Sequence, residues 1–489
     1  MSLSNHTFIL KNDGTLWGCG QNGSGQLGLG DKNNRNTFTQ ITTNINNVKS
    51  VYSGGNYTII LKSDNTLWGC GENSYSQLGL GDLANNQTTT FTQITDTYDI
   101  KSVYCGFYHT IILKNDDTLL GCGYNTNGQL GLGDKTDRTS FTQITANTDN
   151  VKSIHCGGNY TIILKNDYTL WGSGYNSVGQ LGLKDTNDKT TFMITDTNPG
   201  NIKSICCGCN HTIILKNDST LWVCGYNSNG QLGLGDTNNR TTFTQIIDTY
   251  DVKSVYCGYA HTIILKNDGT LWGCGNNRYG QLGLGDNANR TTLTQITDNV
   301  KSAYCGYNHT FILKKDNTLW GCGDNQYGQL GLGDNYQRTT FTQVATNADG
   351  IKSFANNYSN ISNIIKIYDT EIGHIETLDT NNFRNISVNK FEKIKALCVN
   401  PDSTYLNCLI SFDKKQTWKT FNGTNWITIS DITPQNIILN GTQLKILDKL
   451  DKNKLISGGF TGDLDFKIAM KTNDENKTPS VTKIYIEYK

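Results

Sequence analysis

The sequence has no excess of either charge and very little proline. Its 489 residues contain 42 Lys and Arg against 42 Asp and Glu, a net charge of zero, and only four prolines. Because contact with nucleic-acid phosphates relies on a positive field, a neutral chain argues against a nucleic-acid partner. No apolar run approaches the roughly 18 residues that span a bilayer. The first residues also lack the basic and apolar segments of a signal peptide. We therefore expect neither cleaved export nor membrane insertion.

What the chain does contain is a block of about fifty residues that occurs seven times. Its most constant stretch reads Leu-Trp-Gly-Cys-Gly, and its Trp position recurs at residues 17, 68, 120, 171, 222, 272 and 320, with Leu120 as the one exception. Repeats of this length are single supersecondary units that stack on their neighbours. Positions that stay constant among the copies are expected to pack, whereas positions that differ are free to bind.

Each copy has the pattern of short antiparallel strands. In the third copy these are residues 101–106, 109–114, 118–123 and a weaker strand at 141–144. Turns of the form Asn-Asp-x-Thr join the second strand to the third. The Thr-Ile-Ile-Leu strand is apolar on both faces, as blades packed around an axis require. The pattern predicts an all-β, seven-bladed β-propeller, with a solenoid as the alternative.

One copy carries a family resemblance. Residues 269–275 (Gly-Thr-Leu-Trp-Gly-Cys-Gly) and 280–286 (Gly-Gln-Leu-Gly-Leu-Gly-Asp) closely resemble the repeat of the regulator of chromosome condensation family. The resemblance covers about residues 1–354 and implies a seven-bladed propeller. The first copy lacks the strand that opens the others, and residues 351–354 offer that strand after the seventh copy. We expect residues 351–354 to complete blade one and to close the ring, which removes exposed sheet edges.

The repeat stops after Ser353, and a second domain is predicted at residues 355–489, after a propeller at 1–354. Its alternating strands predict a small antiparallel β-sandwich that docks or binds. Two runs, 417–421 and 425–429, flank Asn422-Gly423, a strong hairpin signal. The stretch from Ser411 to Trp426 resembles the β-modules of tail proteins from phages and phage-tail-like particles, and of surface proteins from their bacterial hosts.

Thirteen of the fifteen cysteines lie in the repeats, mostly in two slots where Ser53 and Ser173 replace Cys. A slot that accepts either residue requires a small side chain. We interpret these cysteines as buried free thiols of a reducing compartment, with disulfides or metal ligation as the alternatives. Cys398 and Cys408 are the one pair that a hairpin centred near Ser403 would place opposite each other.

Two other recurring positions have structural explanations. Neighbouring blades are about 10 Å apart, so the His residues before the core strands of adjacent blades are too far apart to share a zinc ion. We expect instead a structural hydrogen bond to a turn at His6, His109, His211, His261 and His309, and at Tyr57 and Tyr160. The Asp after Gln-Leu-Gly-Leu-Gly precedes an Arg by four residues in five copies, which predicts a clamp within the blade rather than a calcium site. No catalytic constellation, metal site or cofactor site stands out, and we expect no enzyme.

The differences among the copies cluster on one face. Counting strand reversals places the Cys-Gly-x-x-His turns and the loops after Gly-Cys-Gly on the same side of the ring. Tyr, Asn and Ser on a rigid scaffold are typical of recognition surfaces; alternatively, the rings cover the ends of the blades. The predicted ligand-binding residues, with Phe107 beside them, are Tyr75, Tyr108, Tyr124, Tyr175, Tyr226, Tyr259, Arg278, Tyr279, Tyr307 and Tyr327.

The first functional prediction is a non-enzymatic recognition or structural protein: a receptor-binding or baseplate component of a phage tail or tail-like particle. It would assemble in the bacterial cytoplasm, contact other particle subunits, engage a bacterial surface ligand such as a glycan, and could form homo-oligomers. The alternative, which the propeller resemblance implies, is a cytoplasmic protein-interaction scaffold or a guanine-nucleotide exchange factor. A carbohydrate-active enzyme would need a carboxylate pair that the sequence does not reveal.

Overall fold

Seven four-stranded antiparallel sheets form a β-propeller in the computed structural model, as the repeat predicts. The structure describes residues 4–344, apart from 82–85, 96–98, 196–199 and 248, together with the strand 351–354 and eight strands between 386 and 487. The chain divides into two compact units, residues 1–367 and 368–489. Within the described residues, no helix has the length and apolarity that a membrane span requires.

Each blade consists of a first, a core, a third and an outer strand, in that order across its sheet. The first strands of blades 1 to 7 are Ile351–Phe354, Val48–Ser53, Ile100–Cys105, Val151–Cys156, Ile202–Cys207, Val252–Cys257 and Val300–Cys305. The core strands are His6–Lys11, Tyr57–Lys62, His109–Lys114, Tyr160–Lys165, His211–Lys216, His261–Lys266 and His309–Lys314. First strands of neighbouring blades contact one another, so they surround the axis of the ring.

The other two strands of each blade lie progressively farther from the axis. The third strands are Leu16–Gly20, Leu67–Glu72, Leu119–Gly123, Leu170–Gly174, Leu221–Gly225, Leu271–Gly275 and Leu319–Gly323. The outer strands are Arg35–Ile41, Gln87–Ile94, Arg138–Ile144, Lys189–Ile194, Arg240–Ile246, Arg290–Thr297 and Arg338–Gln343. The hydrophobic cores lie between adjacent blades; Ile111 and Ile112, on opposite faces of one core strand, are both fully buried.

The ring closes through the strand predicted for that role. Ile351–Phe354 pairs antiparallel with the core strand of blade 1, with Phe354 opposite Ile9 and Ser353 opposite Leu10. Blade 1 thus combines the two ends of the repeat region. The prediction from the missing first strand is confirmed.

The second unit is described as eight strands. They are Ile386–Val388, Lys393–Cys398, Thr404–Ser411, Trp418–Phe421, Trp426–Ile429, Thr442–Gln443, Leu464–Thr472 and Val481–Glu487. The predicted hairpin pairs Phe421 with Trp426, while its Asn422-Gly423 turn lies outside the described residues. The predicted hairpin near Ser403 is wrong, because Cys398 lies in a strand paired with 481–487 whereas Cys408 lies in one paired with 464–472. The β-sandwich remains a prediction.

Candidate functional site

A continuous belt of side-chain hydrogen bonds joins the blades beneath the variable face. The Thr at the second position of each core strand donates to a Gln carbonyl of the preceding blade, over 2.7 to 3.0 Å, at Thr7, Thr58, Thr110, Thr161, Thr212, Thr262 and Thr310. In five blades the His Nε2 lies 3.0 to 3.3 Å from the Thr of the next blade. The Tyr57 and Tyr160 hydroxyls donate instead to the carbonyls of His109 and His211 at 2.6 Å.

The belt confirms that the recurring His and Tyr are structural. Their main partners are residues of the next core strand rather than the expected turn. Burial lowers the pKa of each of these imidazoles to about 3, so they are neutral. No group of three or more His, Cys, Asp or Glu in the described part of the chain is placed to hold a metal ion.

The cysteine slots and the acidic loop also have structural roles. All thirteen cysteines of the repeats are buried free thiols, and six of them lie within 3.4 to 3.5 Å of a Gln carbonyl of the preceding blade. The predicted Asp–Arg clamp is confirmed in five blades at 2.5 to 2.6 Å. Lys189 and Asp185 form the same contact in blade 4, a pair that the Arg pattern missed.

The two variable loops of each blade lie on one face, as predicted. In all seven blades the residue after Gly-Cys-Gly donates its backbone N–H to the residue before the core strand, for example Tyr124 to the carbonyl of Tyr108 at 2.8 Å. The equivalent donors are Gln21, Glu72, Tyr175, Tyr226, Asn276 and Asp324. The varied side chains therefore stand on a backbone that the bonds hold rigid.

At the centre of this face, the turns themselves form a backbone ring around the axis. Six of the seven turns donate an N–H to the carbonyl of the next blade's turn: Gly55 to Phe107, Phe107 to Gly158, Gly158 to Cys209, Cys209 to Tyr259, Tyr259 to Tyr307 and Tyr307 to Ser4, over 3.0 to 3.3 Å. These are equivalent positions in seven blades, and their side chains surround the end of the central axis. This ring was not foreseen from the sequence.

Six aromatic side chains meet above that ring, and we call them the axial aromatic cluster: Phe107, Tyr259, Tyr307, Tyr75, Tyr108 and Tyr124. Tyr259 stacks on Tyr307 at 4.3 Å between centroids, and Phe107 contacts both at 6.0 to 6.2 Å. Tyr75 lies 5.0 Å from Tyr108 and 4.9 Å from Tyr124. Phe107 and Tyr108 connect the two groups at 6.0 Å.

Small residues in the neighbouring blades make room for these rings. Phe107 comes from blade 3, and the equivalent residues of blades 2 and 4 are Gly55 and Gly158. A Cβ on either glycine would approach the Phe107 ring to 3.3 or 3.1 Å. The cluster therefore depends on a large ring in one blade and on glycine in both neighbouring blades. This combination can be recognised only when it is known which turns are adjacent.

The other predicted site residues lie on the same face outside this cluster. Tyr175, Tyr226, Tyr279 and Tyr327 are half-buried, and Arg278 is exposed. Tyr279 and Tyr327 share a loop position with Tyr75, since each donates its backbone N–H to a Gln Oε1 at 3.0 Å. Six of the eleven residues singled out from the sequence thus form one cluster, and the remaining five surround it blade by blade.

Three tyrosines of the cluster have a raised pKa, which favours their uncharged form. Burial and the nearby Glu72 raise the pKa of Tyr108. The Cys209 thiol and burial raise the pKa of Tyr259, while burial and Tyr259 raise that of Tyr307. Tyr75 is the most exposed ring, at 39%. The arrangement provides aromatic area and hydroxyl groups that can form hydrogen bonds.

The fold and its loops define a repeat propeller whose varied residues lie on one rigid face. Profiles of the regulator of chromosome condensation (RCC1) repeat match residues 13–61, 64–113, 48–77 and 300–329, and the profile of the RCC1-like domain matches residues 99–300. The propeller therefore belongs to the regulator of chromosome condensation repeat family.

Three relatives illustrate the range of this similarity. The chain is 29% identical over 250 residues to the ultraviolet-B receptor UVR8 of Arabidopsis thaliana, which covers 50% of this chain and 57% of the receptor. It is 38% identical over 138 residues to the X-linked retinitis pigmentosa GTPase regulator of Mus musculus, over 28% of this chain and 14% of that protein. Yeast RCC1 (Prp20), solved bound to Kap60, superposes with a TM-score of 0.62 at 18% identity, over 71% and 86% of the two chains. The chain thus spans little more than half of UVR8 and a small part of the GTPase regulator.

Proposed function

We propose that this protein is a non-enzymatic interaction module that binds a protein partner through the axial aromatic cluster. The observation that carries the proposal is the contact of six rings at the axial end of one rigid face. Four of the seven blades contribute rings, and the backbone ring and the Thr–His belt hold the turns in place beneath them. Partly exposed aromatic residues on a prepositioned scaffold bind at low entropic cost.

The character of the surface favours a protein partner. Tyrosine and phenylalanine dominate the energetics of protein interfaces, especially when they lie together at the centre of a contact. The acidic Glu72 and the exposed Arg278 lie outside the ring contacts and suit a polar rim. The names of the relatives agree with such a role: one is a GTPase regulator, and yeast RCC1 was solved with Kap60 bound.

The test compares the intact face with one that lacks its outer rings. A triple variant, Tyr75→Ala, Tyr108→Ala and Tyr124→Ala, leaves Phe107, Tyr259 and Tyr307 over the axis. Partners captured from an extract of the source cells would be quantified by mass spectrometry, and the strongest would be purified for calorimetric titration. We expect the triple variant to bind that partner at least tenfold more weakly, which corresponds to about 1.4 kcal/mol.

The matched control is Tyr336→Ala, which removes a tyrosine that is 76% exposed but lies outside the cluster. This control should bind as the unaltered protein does, and all variants should still fold and unfold cooperatively. If the triple variant retains every partner while removal of residues 368–489 abolishes capture, the second unit is the recognition element and the proposal is wrong.

A second candidate is guanine-nucleotide exchange, favoured by the 38% identity with a GTPase regulator. Release of a fluorescent guanine nucleotide from small GTPases of the source organism, with and without the protein, would test it directly. The narrower prediction of a phage-tail component that binds a glycan or particle subunits has no support among the described contacts. Its localisation to a particle likewise stays a prediction.

A further inference from the structure

A second candidate site lies between blades 5 and 6, away from the axial aromatic cluster. A cavity of about 540 Å³ opens there, and its lining includes Leu234, Ile247, Tyr250, Lys266, Trp272 and Leu293. Lys266 directly precedes the Asn-Asp turn of blade 6, so this end of the cavity lies towards the face opposite the cluster. The repeat itself provides six reference grooves with which this one can be compared.

In those six grooves a phenylalanine of the next outer strand covers a glycine of the Gln-Leu-Gly-Leu segment. The pairs are Gly28 with Phe91, Gly79 with Phe141, Gly131 with Phe192, Gly182 with Phe243, Gly283 with Phe341 and Gly331 with Phe38, each so close that a Cβ on the glycine would lie 2.5 to 2.7 Å from the ring. At Gly233 the partner is Leu293, and a Cβ on this glycine would lie farther from the partner side chain, at 3.5 Å. Blade 6 therefore lacks the ring that fills this space elsewhere.

The charge at the mouth can be compared with that of blade 4. In blade 4 the Lys165 ammonium lies over Trp171 at 4.4 Å and forms a 3.0 Å ion pair with Asp149. At the equivalent place in blade 6, Tyr250 occupies the position of Asp149. The Lys266 ammonium lies between the rings of Tyr250, at 4.6 Å, and Trp272, at 4.5 Å. No carboxylate of the described residues lies within 4.0 Å of Lys266.

The rim adds unpartnered apolar surface. Ile247 is 78% exposed and Tyr250 is 70% exposed. Five other copies have Thr at the position of Ile247, namely Thr42, Thr95, Thr145, Thr195 and Thr297, and the remaining copy has Ala345. Ile247 and Leu293, which no other copy has at these positions, therefore meet Tyr250 at one cavity. Leu293 leaves out the ring that fills the groove elsewhere, and Ile247 and Tyr250 add apolar area at its rim.

We propose that this groove binds a segment of a partner protein that carries a phenylalanine beside an acidic residue. The phenyl ring would enter the space that Phe occupies in the other six grooves. The acidic side chain would pair with Lys266, as Asp149 does with Lys165. This site uses none of the residues of the axial aromatic cluster, so it is independent of the function proposed above.

The test uses the full chain and a capped five-residue peptide in which 4-fluorophenylalanine lies between two glutamates, flanked by glycines. Fluorine NMR reports binding through line broadening and gives a Kd by titration. Leu293→Phe restores the ring of the other six blades, so it should fill the cavity without impairing the fold and should weaken binding at least tenfold. Tyr250→Asp restores the blade 4 ion pair and should weaken binding as well.

Two controls separate the ring from the charge. A peptide with lysines in place of the glutamates should bind at least tenfold more weakly. A peptide with alanine in place of the aromatic residue should also bind at least tenfold more weakly, and its binding is measured by its ability to displace the fluorinated peptide. Tyr336→Ala, at a distant exposed tyrosine, should leave the Kd unchanged. The proposal is overturned if the unaltered protein does not broaden the signal at millimolar peptide, or if Leu293→Phe, with an unchanged or higher melting temperature, binds the peptide as before.

Discussion

The two faces of the propeller are built from the same seven repeats but use them differently. On the face with the Asn-Asp turns, six blades repeat one arrangement: a Lys ammonium lies 3.8 to 4.6 Å from the centroid of a Trp ring, and the indole N–H donates to a Thr hydroxyl. On the other face, equivalent positions hold Gly, Ser, Cys, Phe or Tyr. One face is uniform, and its polar groups are bonded within each blade, whereas the other face differs from blade to blade.

This difference indicates where the chain has been free to vary. The Lys–Trp–Thr group uses its polar atoms within the blade, so a substitution there loses contacts that already exist. The turns on the other face are held by backbone hydrogen bonds, which do not use the side chains. Binding residues can change on such turns without loss of the framework, which is how rigid scaffolds carry recognition surfaces. The groove at Leu293 is the exception on the uniform face.

The largest expected effect comes from acid, because it acts on the framework shared by all blades. Six buried imidazoles, at His6, His109, His155, His211, His261 and His309, have a pKa of about 3 when folded. Unfolding restores the ordinary value near 6.5. The unfolded chain therefore binds more protons below pH 6.5, and stability falls as the pH drops from 6.5 towards 3.

Each imidazole contributes about 1.4 kcal/mol per pH unit to this loss. We expect the melting temperature of the propeller to fall steeply between pH 6.5 and 5, as followed by circular dichroism. His211→Tyr, which introduces the residue found at Tyr57 and Tyr160, should make the loss shallower by one proton. A melting temperature that stays constant from pH 7 to 5 would contradict the neutral-imidazole belt.

The next largest effect concerns closure of the ring. A chain ending at residue 350 lacks the strand Ile351–Phe354, whereas one ending at residue 367 keeps it, and both lack the second unit. Loss of the strand exposes an edge of blade 1 and should cost several kcal/mol, which lowers the melting temperature by roughly 10 °C. Equal melting temperatures for the two truncated chains would show that the strand is dispensable.

A smaller effect is expected when a single residue of the hydrogen-bonded belt is compared with a single residue of the varied face. Thr161→Val removes a hydroxyl that donates to the Gln129 carbonyl at 2.8 Å and contacts His109. Two buried polar groups then lose a partner, at a cost of about 1 to 3 kcal/mol in the free energy of unfolding. Tyr124→Ala, on the varied face, should cost less than about 1 kcal/mol. Urea unfolding of both variants measures the two losses in unfolding free energy. A larger loss for Tyr124→Ala than for Thr161→Val would contradict the prediction.

The smallest predicted effect is a gain. Ser173 is fully buried, and its hydroxyl has no hydrogen-bond partner, whereas the equivalent cysteines lie beside a Gln carbonyl. A thiol is less costly to bury than an unpaired hydroxyl. Ser173→Cys should therefore stabilise the propeller by about 1 kcal/mol, with Cys122→Ser as the opposite change in the neighbouring blade. A loss of stability in Ser173→Cys would show that the two slots differ.

Much of the fold could be predicted from the sequence because the seven copies of the repeat can be compared with one another position by position. The exchange of Cys with Ser at residue 173 and of His with Tyr at residue 160 marked these positions as structural before any contact was known. The missing first strand predicted the pairing of residues 351–354. The hairpin near Ser403 failed because the second unit has no copies, so its strand order rested on proximity in sequence alone.

The candidate site was predicted only in part, for a geometric reason. Strand counting identified the face and the tyrosines, but the cluster depends on which turns meet across the axis. Phe107 contacts Tyr259 and Tyr307, from blades that are not adjacent to its own. The role of Gly55 and Gly158 as space for Phe107 follows from the ring geometry and has no signal within a single repeat.

The most direct test of the recognition face is a footprint of the complex. Carbene labelling of the protein, alone and bound to the purified partner, reports the exposure of each aromatic side chain. We expect labelling to fall at Tyr75, Tyr108 and Tyr124, and to remain unchanged at the distant Tyr336. Unchanged labelling of those three residues in a saturated complex, with protection on the Lys–Trp face or within residues 368–489, would contradict the proposed function.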